Sequence, residues 1–355
     1  MLRSLPFLGI SVVDPPSQIV HAMPADQPLG AHQVASRLFP AYTIDGGNVH
    51  LAGCSLDDRL FVRIEFADGE QSLQMYVDSD GREVEPAMIE SLGMDKLDKL
   101  EKPPQEFKAE VTRLLLAGGR RAAERLPAVI VPEPTAMTAI WCKYAEGKLR
   151  FTIGPATADL PFSGWARTIE PPPFVCPATG EETYHLAASD AGRIGAAEKI
   201  EVCEETGSRR LPDELATCAA TGKRVVPELL QECPISGDLV LNGELAPCRV
   251  CGEKVSRATL RRNVCEACRN LRRVNKADPR MALLLDEHPA LDGWHNWRIS
   301  ETATVYVLTA GRLKRLLVVL DKESLELKRL ATASRFLPRW KVVEPSLHDF
   351  AVKAS

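Results

Sequence analysis

Cys203, Cys218, Cys233 and Cys248 stand fifteen residues apart, and a glycine follows each of them four residues later, at Gly207, Gly222, Gly237 and Gly252. Leucine keeps the same phase at Leu215, Leu230, Leu245 and Leu260. A unit of this length is too short to bury a core of its own, so the copies must stack on one another, be held by metal, or both. The residue before each glycine is Thr206, Thr221, Ser236 and finally Cys251, and Cys176-Pro177-Ala178-Thr179-Gly180 repeats the turn upstream, outside the cadence. The pattern C-x-x-[C/T/S]-G predicts a tight turn whose glycine takes a positive φ and whose N–H groups point back at the first sulfur, the shape of a zinc knuckle.

The last copy carries more. Cys248-x2-Cys251 is followed, thirteen residues on, by Cys265-x2-Cys268. Two-residue spacing lets both sulfurs of a turn reach one ion, and two such turns complete a tetrahedron of thiolates, the donor set of a structural zinc site. Cys248-Arg249-Val250-Cys251-Gly252, a hairpin-length stretch, and Cys265-Glu266-Ala267-Cys268 opening a helix together resemble a treble-clef or zinc-ribbon finger of the four-cysteine type, over about residues 248–280. The resemblance implies a metal-held fold and no particular activity. The upstream turns look like knuckles lacking their second thiolate. Cys176, Cys203, Cys218 and Cys233 are four leftover thiols, enough for one shared second metal site; the alternative is that each is a small buried apolar residue in a stacked array. One Zn²⁺ is expected, or two if that site forms. Eight of the ten cysteines lie between Cys176 and Cys268 at metal-like rather than disulfide-like spacing, which favours a reducing cytosol.

At 355 residues the chain is long enough for two or three domains. Residues 1–38, rich in Pro and small residues, read as an extended lead-in, and the short apolar stretch Leu5 to Val13, followed at once by Asp14-Pro15-Pro16, makes a poor secretory signal. Residues 39–170 read as an α+β domain. Apolar and polar residues alternate from Tyr42 to Val84, with Ala67-Asp68-Gly69-Glu70 as a hairpin turn, predicting an antiparallel meander. Phe107, Val111, Leu114 and Leu115 then predict a helix ending near Gly118-Gly119 or Leu126-Pro127, before strands at Ala128–Val131 and Lys148–Ile153. The prolines of Glu170-Pro171-Pro172-Pro173 mark a boundary to the cysteine region, 171–278. In 279–355, Asp278-Pro279 predicts a helix start before Met281–Leu285. Strands at Thr304–Leu308, Arg315–Leu320 and Leu325–Leu330 predict a small sheet, in which no chemical motif is evident. The overall class is α+β with several domains, antiparallel sheets flanking a small cysteine-repeat array. No apolar run approaches the roughly 18 residues of a membrane helix, so no membrane partner is expected.

Charge narrows the partner. Residues 249–280 hold ten Lys and Arg against Glu253, Glu266 and Asp278, a balance of +7 in a chain whose net charge is -4, so the remainder carries -11. Four thiolates and one divalent cation would contribute -2, leaving about +5. If Ala267–Lys276 is helical, Ala267, Leu271 and Val274 face inward and Arg269, Arg272, Arg273 and Lys276 spread outward. With Arg257, Arg261 and Arg262 they could lie against phosphates. No aromatic side chain is interleaved with them, so base stacking is not indicated.

Enzyme motifs are weak. Cys218–Arg224 ends in Gly-Lys-Arg, but Thr217 stands at the first glycine of a phosphate loop and Arg224 at its final Ser/Thr. Asp321 with Glu326-Leu327-Lys328 faintly resembles a metal-dependent nuclease motif, although such charges ordinarily decorate a hairpin. The histidines are scattered, with His185 alone near enough in sequence to the cysteines to serve as a spare ligand. Cys54 and Cys142 read as core residues. The expectation is a zinc-binding, non-catalytic accessory or adaptor protein that engages nucleic acid or a nucleoprotein complex. The alternatives are a protein-interaction scaffold, or an enzyme with its site in the N-terminal domain.

Overall fold

The computed structural model describes residues 18–68, 71–105, 108–125, 134–336 and 339–344, and the chain divides into two compact units, 1–200 and 201–355.

Two long strands, Gly47–Asp68 and Pro134–Ile153, run antiparallel through the first unit in register from Gly47 opposite Ile153 to Phe66 opposite Pro134. Gln71–Asp78 pairs antiparallel with the first of them, giving the expected hairpin, although Gly69 and Glu70 of its turn lie outside the described residues. Thr43–Ile44 instead pairs parallel with His185–Leu186 in a separate sheet, so the stretch Tyr42 to Val84 is not one meander. Ile19–Pro24 pairs parallel to Pro134–Ile153, and Ala31–Leu38 is a helix, so residues 19–38 are not the extended lead-in that their prolines suggested. Val34 and Leu38 are fully buried, and that burial is what anchors the segment.

Period-two alternation places Leu60, Val62, Ile64 and Phe66 on one face, under Val111, Leu114 and Leu115 of the helix Lys108–Arg125. Phe61 points the other way, towards Leu92, Met94 and Cys142. The helix continues through Gly118-Gly119, where a stop was one expectation. A Cβ at Gly118 would lie 2.6 Å from Ile64 Cδ1, so this glycine permits close approach to the sheet instead of ending the helix. Phe107, Leu126-Pro127 and Ala128–Val131 lie outside the described residues.

The proline stretch is not the boundary. Tyr42 Oη donates to the Pro172 carbonyl and Tyr184 Oη to that of Pro171, while Phe174, Leu186 and Ile194 bury with Phe151, Phe162 and Ile169. That apolar burial draws the Cys176 turn into the first unit.

In the second unit two-stranded hairpins recur: Glu201–Val202 with Arg209–Arg210, Ala216–Thr217 with Arg224–Val225, Leu230–Glu232 with Leu239–Leu241, and Leu245–Pro247 with Lys254–Ser256. A short 3-10 turn follows each, beginning at Pro212, Pro227, Asn242 and Arg257. The C-terminal sheet has the strand order Arg272–Arg273, Arg298–Glu301, Val305–Ala310, Lys314–Asp321, Leu327–Ser334, Lys341–Val342. The predicted N-cap holds: Asp278 accepts from the Arg280 N–H at the start of the helix Pro279–Glu287. Leu316, Val318 and Leu320 face Met281, Leu284, Trp294 and Trp297, whereas Val305, Val307, Leu317 and Val319 face the four-cysteine module. Covering on both faces explains the unbroken run Leu316–Leu320, every member of which is buried. The module and this sheet therefore share one core. Among the described residues no helix is long and apolar enough to cross a membrane.

Candidate metal centre

Each cysteine turn closes the same way. The N–H of Gly180, Gly207, Gly222, Gly237 and Gly252 donates to the carbonyl of Cys176, Cys203, Cys218, Cys233 and Cys248 respectively, at 2.8–2.9 Å. All five glycines have φ between 71° and 88°, where a side chain would be strained. Each cysteine N–H in turn donates to a carbonyl five residues on, from Cys176 to Glu181 through Cys248 to Glu253.

In the last turn Cys248 and Cys251 meet Cys265, the N-cap of the short helix Glu266–Arg269, and Cys268 within it. The four sulfurs lie within 4.8 Å of one another, and all four residues are buried. Cys251 and Cys265 Sγ are 3.8 Å apart, far beyond a disulfide bond, and all ten cysteines are free. A tetrahedron with ion–sulfur distances of about 2.3 Å has edges of about 3.8 Å, so the separation suits a shared central ion. The Val250 and Cys265 N–H groups donate to Cys248 Sγ at 3.4 and 3.3 Å, and such amide donors orient a ligating thiolate and spread its negative charge. Hydrogen bonds from Cys251, Cys265 and Cys268 hold the Cys248 thiol well below its ordinary range. Donor type, burial and spacing thus fit one metal ion.

The remaining thiols do otherwise. Cys203, Cys218 and Cys233 form no metal-ligating group among the described residues. Each sulfur instead accepts an N–H from the next hairpin, twenty-three residues on: Val226 to Cys203, Leu241 to Cys218 at 3.4 Å, and Ser256 to Cys233 at 3.3 Å. Cys176 takes the Ala196 N–H in the same manner within the first unit. The hydroxyls of Thr179, Thr206, Thr221 and Ser236 donate to the same sulfurs, standing where Cys251 stands in the last copy. Burial opposes ionisation of Cys203, but the Thr206 hydroxyl and the N–H groups of Thr206, Glu205 and Val226 outweigh it and bring the thiol down to about 7. These sulfurs act as acceptors that fasten one hairpin to the next, and among the described residues Cys203, Cys218 and Cys233 of the second unit are not brought together as a second metal site. Cys218→Ala, which orphans the Leu241 N–H, is expected to cost about 1–3 kcal/mol in denaturant unfolding and to leave the metal content unchanged. A drop in metal content would instead make Cys218 a ligand.

His185 is no spare ligand either. Its Nε2 lies 2.9 Å from Asp45 Oδ1 and its Nδ1 3.0 Å from Glu198 Oε1. The hydrogen bond with Asp45, then that with Glu198, raises its pKa above the ordinary 6.5. A folded-state pKa raised in this way gives stability that is complete below about pH 6.5 and is lost as pH climbs through the folded value. His185→Gln is therefore expected to flatten the fall in melting temperature between roughly pH 6 and 8, and an unchanged pH profile would refute the assignment.

Cys142 is a core residue, pushed up to about 12 by burial, and Cys54 is half-buried. The Cys218–Arg224 segment is a hairpin turn with strand, and Asp321 pairs with Lys328 at 2.8 Å while its Oδ1 caps the Glu323 and Ser324 N–H groups, a hairpin decoration.

The basic stretch folds differently from the expected helix over Ala267–Lys276. The helix ends at Arg269, and Arg272–Arg273 instead form the edge strand of the C-terminal sheet, opposite Ile299 and Arg298. Leu271 and Val274 still pack inward. Pairing with a ready sheet edge outweighs helix propensity here. Arg257, Arg261, Arg262, Arg269, Arg272, Arg273 and Lys276 are all exposed. Lys276 is engaged by Asp292, and Arg269 donates to the Thr259 carbonyl. The sequence reading missed that Arg298, Arg312, Arg315 and Arg335 approach Arg273 across the sheet. Only strand register joins them, and no local spacing signals it.

No family model matches this chain, and comparison with curated proteins and with solved structures gives no match.

Proposed function

We propose that this protein is a zinc-binding, non-catalytic adaptor that engages nucleic acid, or a nucleoprotein complex, through the basic surface of its four-cysteine module. The observation that carries the reading is the pairing of a closed thiol cage with exposed, unspent positive charge. Arg257, Arg261, Arg262, Arg272 and Arg273 have no ion pair among the described residues. Zinc is the natural occupant of four buried tetrahedral thiolates, and a cage so filled has no open position for substrate. A knuckle turn followed by a cysteine-led helix supports reading the module as treble-clef-like, and the upstream turns read as knuckles in which a hydroxyl replaces the second thiolate. Free thiols throughout favour a reducing compartment such as the cytoplasm.

The test is titration of fluorescent DNA and RNA with the full chain across a salt series. Affinity should fall with salt, and Arg261→Glu/Arg262→Glu should weaken binding several-fold with metal content intact. Absent or salt-independent binding would reject the reading in favour of a protein-interaction scaffold.

A further inference from the structure

One face of the C-terminal sheet is used twice. Its lower half, Val305, Val307, Leu317 and Val319, is covered by the four-cysteine module. Residues directly opposite in an antiparallel ladder project to the same side. Thr309 continues the Val305, Val307 row; Arg298 stands opposite Thr309, and Arg273 opposite Arg298. Arg315 likewise continues the row of Val319 and Leu317. Beyond the module the apolar face thus turns into arginine.

These side chains line a depression of about 520 Å³ together with Asn296, Arg312 and Arg335. No carboxylate is in its lining, and none of the five guanidinium groups has an ion pair among the described residues. Arg315 is held by its stack on Trp340, with its Cζ 5.1 Å from the ring centroid. Next in the chain to Arg335 stands Phe336, a large aromatic side chain left 83% exposed. Five like charges converging on one hollow repel one another unless an anion joins them, and a single phosphate monoester would neutralise fewer than half. The complement is a polyanion. With strands about 4.8 Å apart, the row from Arg273 to Arg315 spans about 14 Å, long enough to follow successive phosphates of one strand. Phe336 is not itself in the lining, but an exposed aromatic one residue from the lining Arg335 can offer stacking to an unpaired base, which a duplex keeps inside its helix.

We infer that this depression is a binding track for single-stranded nucleic acid, with the five arginines on the phosphodiester backbone and Phe336 as the stacking platform. The inference deepens the nucleic-acid reading of the module and rests on it. It places strand selection on the C-terminal sheet, reached from the module through Arg272–Arg273.

The experiment compares the full-length protein on a twenty-nucleotide oligouridine and on an RNA duplex of the same length, by fluorescence anisotropy from 50 to 300 mM salt. The single strand should bind at least about tenfold more tightly. Phe336→Ala should cost it about tenfold, the loss of one stacked base, with the duplex unaffected. Arg298→Ala/Arg315→Ala should flatten the single-strand salt slope by about 1.4, two phosphate contacts at about 0.7 each, and abolish the preference. Arg298→Ala alone, at an exposed site, guards against misfolding of the double variant and should flatten the slope by about half as much. Arg261→Glu/Arg262→Glu should weaken both ligands and leave their ratio unchanged. Equal affinity for the two forms, or a preference that survives the groove variants, overturns the single-strand track while the adaptor reading stands. No binding to either ligand overturns both.

Discussion

Purified protein is expected to carry one zinc ion per chain, and stripping it with a strong chelator, or replacing Cys251 or Cys268 by serine, is expected to unfold far more than the segment that holds the ion. The reason lies in the shared core. Cys248, Cys251, Cys265 and Cys268 are buried in one cluster with Val305, Val307, Leu317, Val319 and Ala331 of the C-terminal sheet. A structural zinc ion contributes on the order of 10 kcal/mol to folding. A whole domain retains only about 5–15 kcal/mol of net stability, so a loss of that size is comparable with everything the 201–355 unit has. Without the ion, four thiols must share protons in a buried space and one face of the sheet loses its cover. Hydrogen exchange on Val305–Ala310 and Lys314–Asp321 is the direct measurement, alongside elemental analysis. If those amides stay protected after the metal has gone, the sheet stands without the module and the coupling is refuted.

Trp141→Ala is expected to destabilise the 1–200 unit by about 3–5 kcal/mol, the cost of deleting a large aromatic from a packed core. Trp141 is wholly buried under the helix Lys108–Arg125 and is one of the largest enclosed side chains in the protein. Its indole N–H donates to His21 Nδ1 at 3.1 Å, and its carbonyl accepts from Gln27 Nε2 at 3.1 Å, which ties the strand Ile19–Pro24 and the loop after it to the central strand. Truncation leaves a cavity and removes the indole's hydrogen bond to His21 Nδ1, while burial already holds the pKa of that ring below its ordinary value. Urea unfolding would show the loss. A change below about 1 kcal/mol would mean that the neighbours collapse into the space. Zinc content should be the same in variant and wild type.

The four-cysteine cluster was legible because its spacing is chemistry: two C-x-x-C turns can satisfy one ion and little else demands them. The hairpin of Gly47–Asp68 with Gln71–Asp78 and the helix start at Asp278 were legible because alternation and capping are local. What escaped was tertiary. Residues 19–38 look like a proline-rich leader until Val34 and Leu38 are seen in the core. The basic helix fails because Arg272–Arg273 find an open ladder edge. Leftover thiols invited a second ion, but a sulfur can also be satisfied by an N–H from a neighbour that no sequence pattern names. One hairpin was hidden altogether. Gly192, fifteen residues before Gly207, has φ 83° in the turn between His185–Ala188 and Ile194–Ala196, where Ala188 takes the place of cysteine. Only the glycine keeps the cadence there, and its N–H donates to the Ser189 carbonyl, not to that of Ala188, so no cysteine spacing marks the turn.

The sulfur-to-amide links of the array all run in one direction and all span the same interval, from Cys203 to Val226, Cys218 to Leu241 and Cys233 to Ser256. Every joint is therefore interchangeable with the next. Over evolutionary time such a segment can lengthen or shorten only in whole steps: an indel of fifteen residues regenerates each link, whereas any other length leaves one sulfur facing the wrong partner.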